Sequence, residues 1–95
     1  MSFFPPWQLL FGEWVKVRAD GLRKRYPNRR LVPFARRFTS DDVACWEGSD
    51  NESVVVVHDF ASKGWEDRKE RYSGFWEWYR AAMDEMIEFE REDRE

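Results

Sequence analysis

Val54, Val55, Val56 and Val57, followed by His58, Asp59 and Phe60, form a run that is apolar at odd and even positions alike. Side chains alternate sides along a strand, so such a run predicts a strand buried on both faces. Something must therefore cover each side. Upstream, Leu31 to Arg37 reads as a strand with Val32, Phe34 and Arg36 on one side and Leu31, Pro33, Ala35 and Arg37 on the other. Pro33 has no N–H for a ladder, which predicts an edge position or bonding through the remaining donors. Asp42 to Glu47 forms the next strand, with Val43 and Cys45 on one face and Ala44 and Trp46 on the other. Residues 48–52 are turn chemistry, so the three strands form an antiparallel meander over about 31–60.

Two helices flank the meander. From about 12 to 26, Phe11, Trp14 or Val15, Arg18, Leu22 and Tyr26 share one helical face, with Lys16, Arg23, Lys24 and Arg25 turned largely to solvent. Pro27 stops this helix, since the residue before a proline is pushed out of the α region. Over about 74–92, Phe75, Trp78, Tyr79, Ala82, Met83, Met86 and Ile87 recur at intervals of three and four, the stripe of a packed helix, and Ser73 is a suitable N-cap. The charged end, 88–95, continues this helix and then frays. Between meander and last helix, Ala61 to Tyr72 is a polar link in which Trp65 either folds back as an anchor or serves as a contact.

The fold class is thus α+β: one domain over 1–95, with a small antiparallel sheet of three strands, or four if Trp7 to Phe11 pairs, packed with an N-terminal and a long C-terminal helix. Both helices can lie on one face, leaving a valine-rich face for a homodimer to cover.

Composition sharpens this picture in three ways. Six Trp, eight Phe and three Tyr in 95 residues are more aromatic surface than so short a chain needs; either the core is Trp-rich or some of it faces a partner. The single Cys45 cannot form an internal disulfide, and Met1 to Pro6 lacks a basic segment and is broken by two prolines, so the expectation is a cytoplasmic protein with no membrane span. The net charge of −3 conceals a basic first half, residues 1–40 at +7, and an acidic second half at −10. Folding can pair the two halves, or it can separate them as faces of opposite sign that guide association.

Little in the chain points to catalysis. His58 and Asp59, as strand neighbours, point to opposite faces and cannot relay a proton, and a metal phosphohydrolase would need further histidines where this chain has one. Cys45 lies in mid-strand without an orienting third group. The acids Asp41, Asp42, Asp50 and Glu52 do not match a calcium loop. No metal, cofactor or catalytic set is therefore expected, and the chain does not read as an enzyme. The basic cluster of Arg23, Lys24, Arg25, Arg29, Arg30, Arg36 and Arg37 is the candidate for an alternative role in nucleic-acid binding, against which stand a pI near 5.3 and the absence of a binding motif.

In order, Arg25-Tyr26-Pro27, Leu31-Val32-Pro33-Phe34-Ala35-Arg36, Asp41-Asp42-Val43-Ala44-Cys45-Trp46, Val54 to Ser62 and Phe75-Trp76-Glu77-Trp78-Tyr79 resemble the SUKH superfamily, the Smi/Knr-type regulators and bacterial immunity proteins. The resemblance spans about 7–87 and implies an α+β fold with a central antiparallel sheet and a role in binding a protein, such as neutralising a toxin nuclease. The chain departs from fuller members in lacking their long N-terminal helical segment and extra strands. No catalytic residues carry over. For a basic toxin, the expected contact residues are exposed ones near the strand ends and the link: Asp41, Asp42, Glu47, Asp59, Trp65, Glu66 and Asp67.

Overall fold

A computed structural model describes residues 3–48, 53–62 and 64–93. The expected turn is described only at Gly48, whose φ of 97° is the left-handed conformation that favours glycine. The fold is α+β, as the periodicities predict, but the sheet is larger. It has six strands in sequence order, every neighbour antiparallel: β1 (Phe3–Phe4), β2 (Trp7–Leu9), β3 (Leu31–Arg37), β4 (Asp42–Glu47), β5 (Ser53–His58) and β6 (Asp67–Tyr72). Helix α1 (Glu13–Arg25) is inserted between β2 and β3, and α2 (Phe75–Asp93) closes the chain.

The two helices cover opposite faces of the sheet, which corrects the expectation that both lie on one. On the α2 face, Trp7, Phe34, Ala35, Ala44, Val54 and Val56 pack with Trp78 and Ala82. On the α1 face, Val43, Cys45, Val55 and Val57 pack with Leu22 and Tyr26. The alternation of β5 explains both clusters at once: Val54 and Val56 serve one core, Val55 and Val57 the other. No open valine face is left for a homodimer to bury.

Pro33 is not at an edge. β3 lies between β2 and β4, and the register shifts between Pro33 and Ala35, so a bulge accommodates the residue that cannot donate. The bulge also changes which side chains share a face. Phe34 and Ala35 both join the α2 core. Beyond it, Arg36 lies opposite Val43, whose side chain faces α1, while Arg37 reaches Glu85 on α2 with its Nε 2.9 Å from Oε2. Simple alternation had placed Arg36 on the side of Phe34.

The polar link contains a strand. β6, with the sequence Asp67-Arg68-Lys69-Glu70-Arg71-Tyr72, pairs along the outer edge of β5. Its long charged side chains guard that edge against pairing with another chain. The helix α2 begins at Phe75, and the Trp78 N–H donates to Gly74 O at 3.3 Å. Gly74, one residue past Ser73, thus occupies the cap position. Of the expected stripe, Trp78 and Ala82 are buried and Phe75, Tyr79, Met83 and Met86 pack against them, whereas Ile87 is half exposed, at 50%. Among the described residues no helix is long and apolar enough to cross a membrane.

Candidate functional site

The charge asymmetry of the sequence is used largely within the fold, at three nodes. At the first, Asp59 follows β5 on the α1 face with its side chain 0% exposed. It accepts from Arg25 Nε at 2.6 Å and Nη2 at 2.8 Å, and from Arg18 Nη1 at 2.9 Å. The Phe60 N–H adds a fourth bond at 2.9 Å. Burial works to raise this carboxyl, but the bonds from Arg25 and Arg18 outweigh it, and its pKa lies below the ordinary value. Arg25 is therefore turned inward, correcting its expected place in solvent. Gly21 allows this, because a Cβ there would sit 2.5 Å from Arg25 Nη2.

At the second node Arg29 grips Glu47 with two parallel bonds of 2.7 and 2.8 Å, and its Nη1 also donates to Glu66 at 2.9 Å and Asp67 at 2.7 Å. Glu66 is buried and accepts from the Gly64 N–H at 2.7 Å. At the third, buried Asp42 meets Arg37 at 2.7 Å and Arg68 at 2.8 Å, with His58 Nδ1 3.0 Å away across the β4–β5 pair. Burial opposes ionisation of Asp42 and Glu66 as well, yet donors to each carboxylate hold both pKa values below normal.

These three depressed carboxylates set a pH dependence. The unfolded chain, with carboxyl pKa values near 4, takes up protons before the folded one does, so stability is full above about pH 5 and falls as the pH drops through 4 and below. Denaturant midpoints measured from pH 7 to pH 3 are expected to show a plateau and then a steep decline. A midpoint unchanged down to pH 3 would contradict the ion-pair assignment.

The contact residues expected from sequence are thereby sorted. Asp42, Asp59 and Glu66 are buried and correct the expectation of an exposed acidic surface. Glu47 and Asp67 are bound by Arg29. Asp41 and Trp65 are exposed, and Trp65, 81% exposed, does not fold back as an anchor. The alternative basic cluster is broken up in the same way: Arg25, Arg29 and Arg37 hold carboxylates, and Arg23 pairs with Asp20 at 3.4 Å. Lys24, Arg30 and Arg36 have no carboxylate partner among the described residues. Cys45 is buried, and burial pushes its thiol pKa up, so it is a poor nucleophile.

Two surfaces remain on which apolar and charged groups stand exposed together. The first is the outer side of α2. At 3.6 residues per turn, Trp76, Ile87, Arg80, Arg91, Asp84, Glu77, Glu88 and Glu92 fall within about 160° of the helix circumference, on the side away from Trp78 and Ala82. Trp76 is 73% exposed there. Four carboxylates against two arginines leave this face acidic, and its one ion pair among the described residues joins Arg91 and Glu88 at 3.1 Å.

The second is a groove of about 800 Å³ between α1 and the β2–β3 part of the sheet. Trp14, Val17, Arg18, Gly21, Lys24 and Arg25 line it from the helix, at spacings of one, three and four that define a single stripe, and Asp20, which pairs with Arg23, lines it beside them. Gln8 and Arg36 form its floor, and Phe60 and Asp41 close one end. Among the helical residues of α1 only Leu22 is buried, packed with Val43 and Cys45 of β4 and Val55 and Val57 of β5, and the groove lies beside it. The sequence signal for the groove was the apolar pair Trp14 and Val17 ahead of a basic run, of which only Trp14, as an alternative to Val15, was placed on the expected helical face. Among the described residues no group of three or more His, Cys, Asp or Glu could hold a metal ion. Comparisons with known protein families, with curated proteins and with solved structures return no match.

Proposed function

We propose that this chain is a small non-catalytic protein-interaction module of the immunity type, which binds a basic toxin domain such as a nuclease through the outer face of α2. The observation that carries this reading is the pairing, on one helical face, of the exposed Trp76 and Ile87 with Glu77, Asp84 and Glu92, carboxylates that hold no cation among the described residues. An exposed Trp in a field of one charge is a suitable anchor: the aromatic supplies buried area, and the acids steer a basic partner and exclude an acidic one. The SUKH-like motifs add the immunity role and the class of partner. The acidic surface first sought at the strand ends is replaced by this one, because Asp42, Asp59 and Glu66 are bound within the fold.

The test is titration with a basic nuclease toxin domain encoded beside the gene for this chain. The variant Glu77→Lys, Asp84→Lys, Glu88→Lys is expected to keep the wild-type melting temperature within a few degrees, to bind the toxin at least tenfold more weakly and to lose neutralisation. A variant that binds and neutralises as well as wild type would overturn the assignment.

A further inference from the structure

We propose that the groove along α1 is a second docking site, separate from the α2 face, and that it receives an acidic, amphipathic segment of a partner protein. Five arginines are half-buried among the described residues: Arg18, Arg25, Arg29, Arg36 and Arg37. Four of them hold a carboxylate within the fold. Among the described residues Arg36 does not; its Nε donates to the neutral Gln8 Oε1 at 3.2 Å, and the rest of its planar fork has no partner among them. A guanidinium drawn partly out of water without a counter-ion is poorly compensated, and its fork fits a carboxylate through two parallel bonds. A ligand carboxylate on Arg36 gives it what the other four already have.

The rest of the groove defines what must be attached to that carboxylate. Lys24, exposed and without an ion-pair partner among the described residues, offers a second cation from α1. At the other end of the same helical stripe stand Trp14, 74% exposed, and Val17. Phe60 and Asp41 belong to the Lys24 end, where the Arg25 guanidinium lies 4.0 Å from the Phe60 ring centroid. At about 1.5 Å per residue, the stripe from Trp14 to Arg25 runs about 16 Å, the length of some five residues of extended peptide. The groove is thus apolar at the Trp14 end, carries Lys24, Arg25 and Arg36 towards the other against the acids Asp41 and Asp20, the second of which pairs with Arg23, and is long enough for a chain segment. Arg18 and Arg25 are already committed to Asp59 beneath them, which limits the free positive charge to Lys24 and Arg36. That suits one or two carboxylates beside an aromatic or aliphatic side chain, and not the repeated phosphates of a nucleic acid.

The experiment pans the intact protein against a phage-displayed library of random twelve-residue peptides and measures the enriched peptides by fluorescence polarisation. The expected peptides combine acidic with aromatic or aliphatic residues, and bind more weakly as salt is raised. Affinity is expected to fall about tenfold or more for Lys24→Glu, Arg36→Gln and Trp14→Ala, and to be unchanged for Trp76→Ala on the α2 face. Lys24 and Trp14 are exposed, so their variants keep the fold and decide the outcome if Arg36→Gln is damaged. The proposal is overturned if no peptides are enriched, if they lack acids, if they bind the groove variants as tightly as wild type, or if a DNA or RNA oligonucleotide displaces them. It is also overturned if a second copy of the chain, detected by light scattering, fills the groove. None of these outcomes bears on the α2 face, which the Glu77, Asp84 and Glu88 variant tests separately.

Discussion

Asp59→Ala is expected to destabilise the protein by about 3 kcal/mol, and to do so without touching the hydrophobic core. The carboxylate is fully buried and accepts three bonds from Arg18 and Arg25. Its removal leaves two half-buried guanidinium groups facing each other with no anion between them. Breaking a buried pair in this way costs about 3–5 kcal/mol, and the lower figure applies because both arginines keep some access to water. Arg18→Ala is expected to cost less, since Arg25 still matches both carboxylate oxygens. Urea unfolding followed by circular dichroism measures both. A loss below 1 kcal/mol for Asp59→Ala would mean that this node does not hold α1 to the sheet.

Trp78→Ala is expected to be the most damaging single change, at about 3–5 kcal/mol. Trp78 is buried, with ring centroids 5.3 Å from Trp7, 4.8 Å from Phe34 and 5.6 Å from Phe75. It joins α2 to β2 and β3 at once, and neighbours held by three different elements cannot all collapse into the space it leaves. Against a total stability of about 5–15 kcal/mol, the variant should be marginally folded, with the near-ultraviolet dichroism of the aromatic cluster lost. Trp76, two residues before it but exposed, is the control: its replacement by Ala is expected to leave the unfolding midpoint nearly unchanged. Equal losses at the two positions would contradict the orientation of α2.

The sequence was most legible where apolar periodicity was strong. Leu31 to Arg37 and Asp42 to Glu47 are strands over the predicted residues, and the two-sided burial of Val54 to Val57 holds in full. β6 was missed because Asp67 to Arg71 has no apolar residue to mark a strand; pairing with the open edge of β5 creates it, and that pairing is a property of the whole sheet. The bulge at Pro33 was not foreseen: a proline in a strand predicts an edge position or bonding through the remaining donors, and an interior bulge is a further way to accommodate it.

The candidate site was less legible, for an electrostatic reason. A carboxylate at a strand end looks exposed until a partner is found for it, and the partners of Asp59 lie 34 and 41 positions away. A signal was present: Arg18, Leu22 and Arg25 lie at helical spacing, so a buried Leu22 draws both arginines toward the sheet. The opposite charges of the two halves carried the same message. They pair across the fold, and what remains unpaired marks α2 and the groove.

The cover of both faces of the Val54 to Val57 strand within one chain, by α1 on one side and α2 on the other, is what the fold rests on. Its most direct test is sedimentation equilibrium combined with thermal unfolding over a hundredfold range of protein concentration. The expected result is a monomer of 11.6 kDa whose melting temperature does not change with concentration. A dimer, with a melting temperature that rises with concentration, would show that a sheet face is completed by a second molecule and would contradict it.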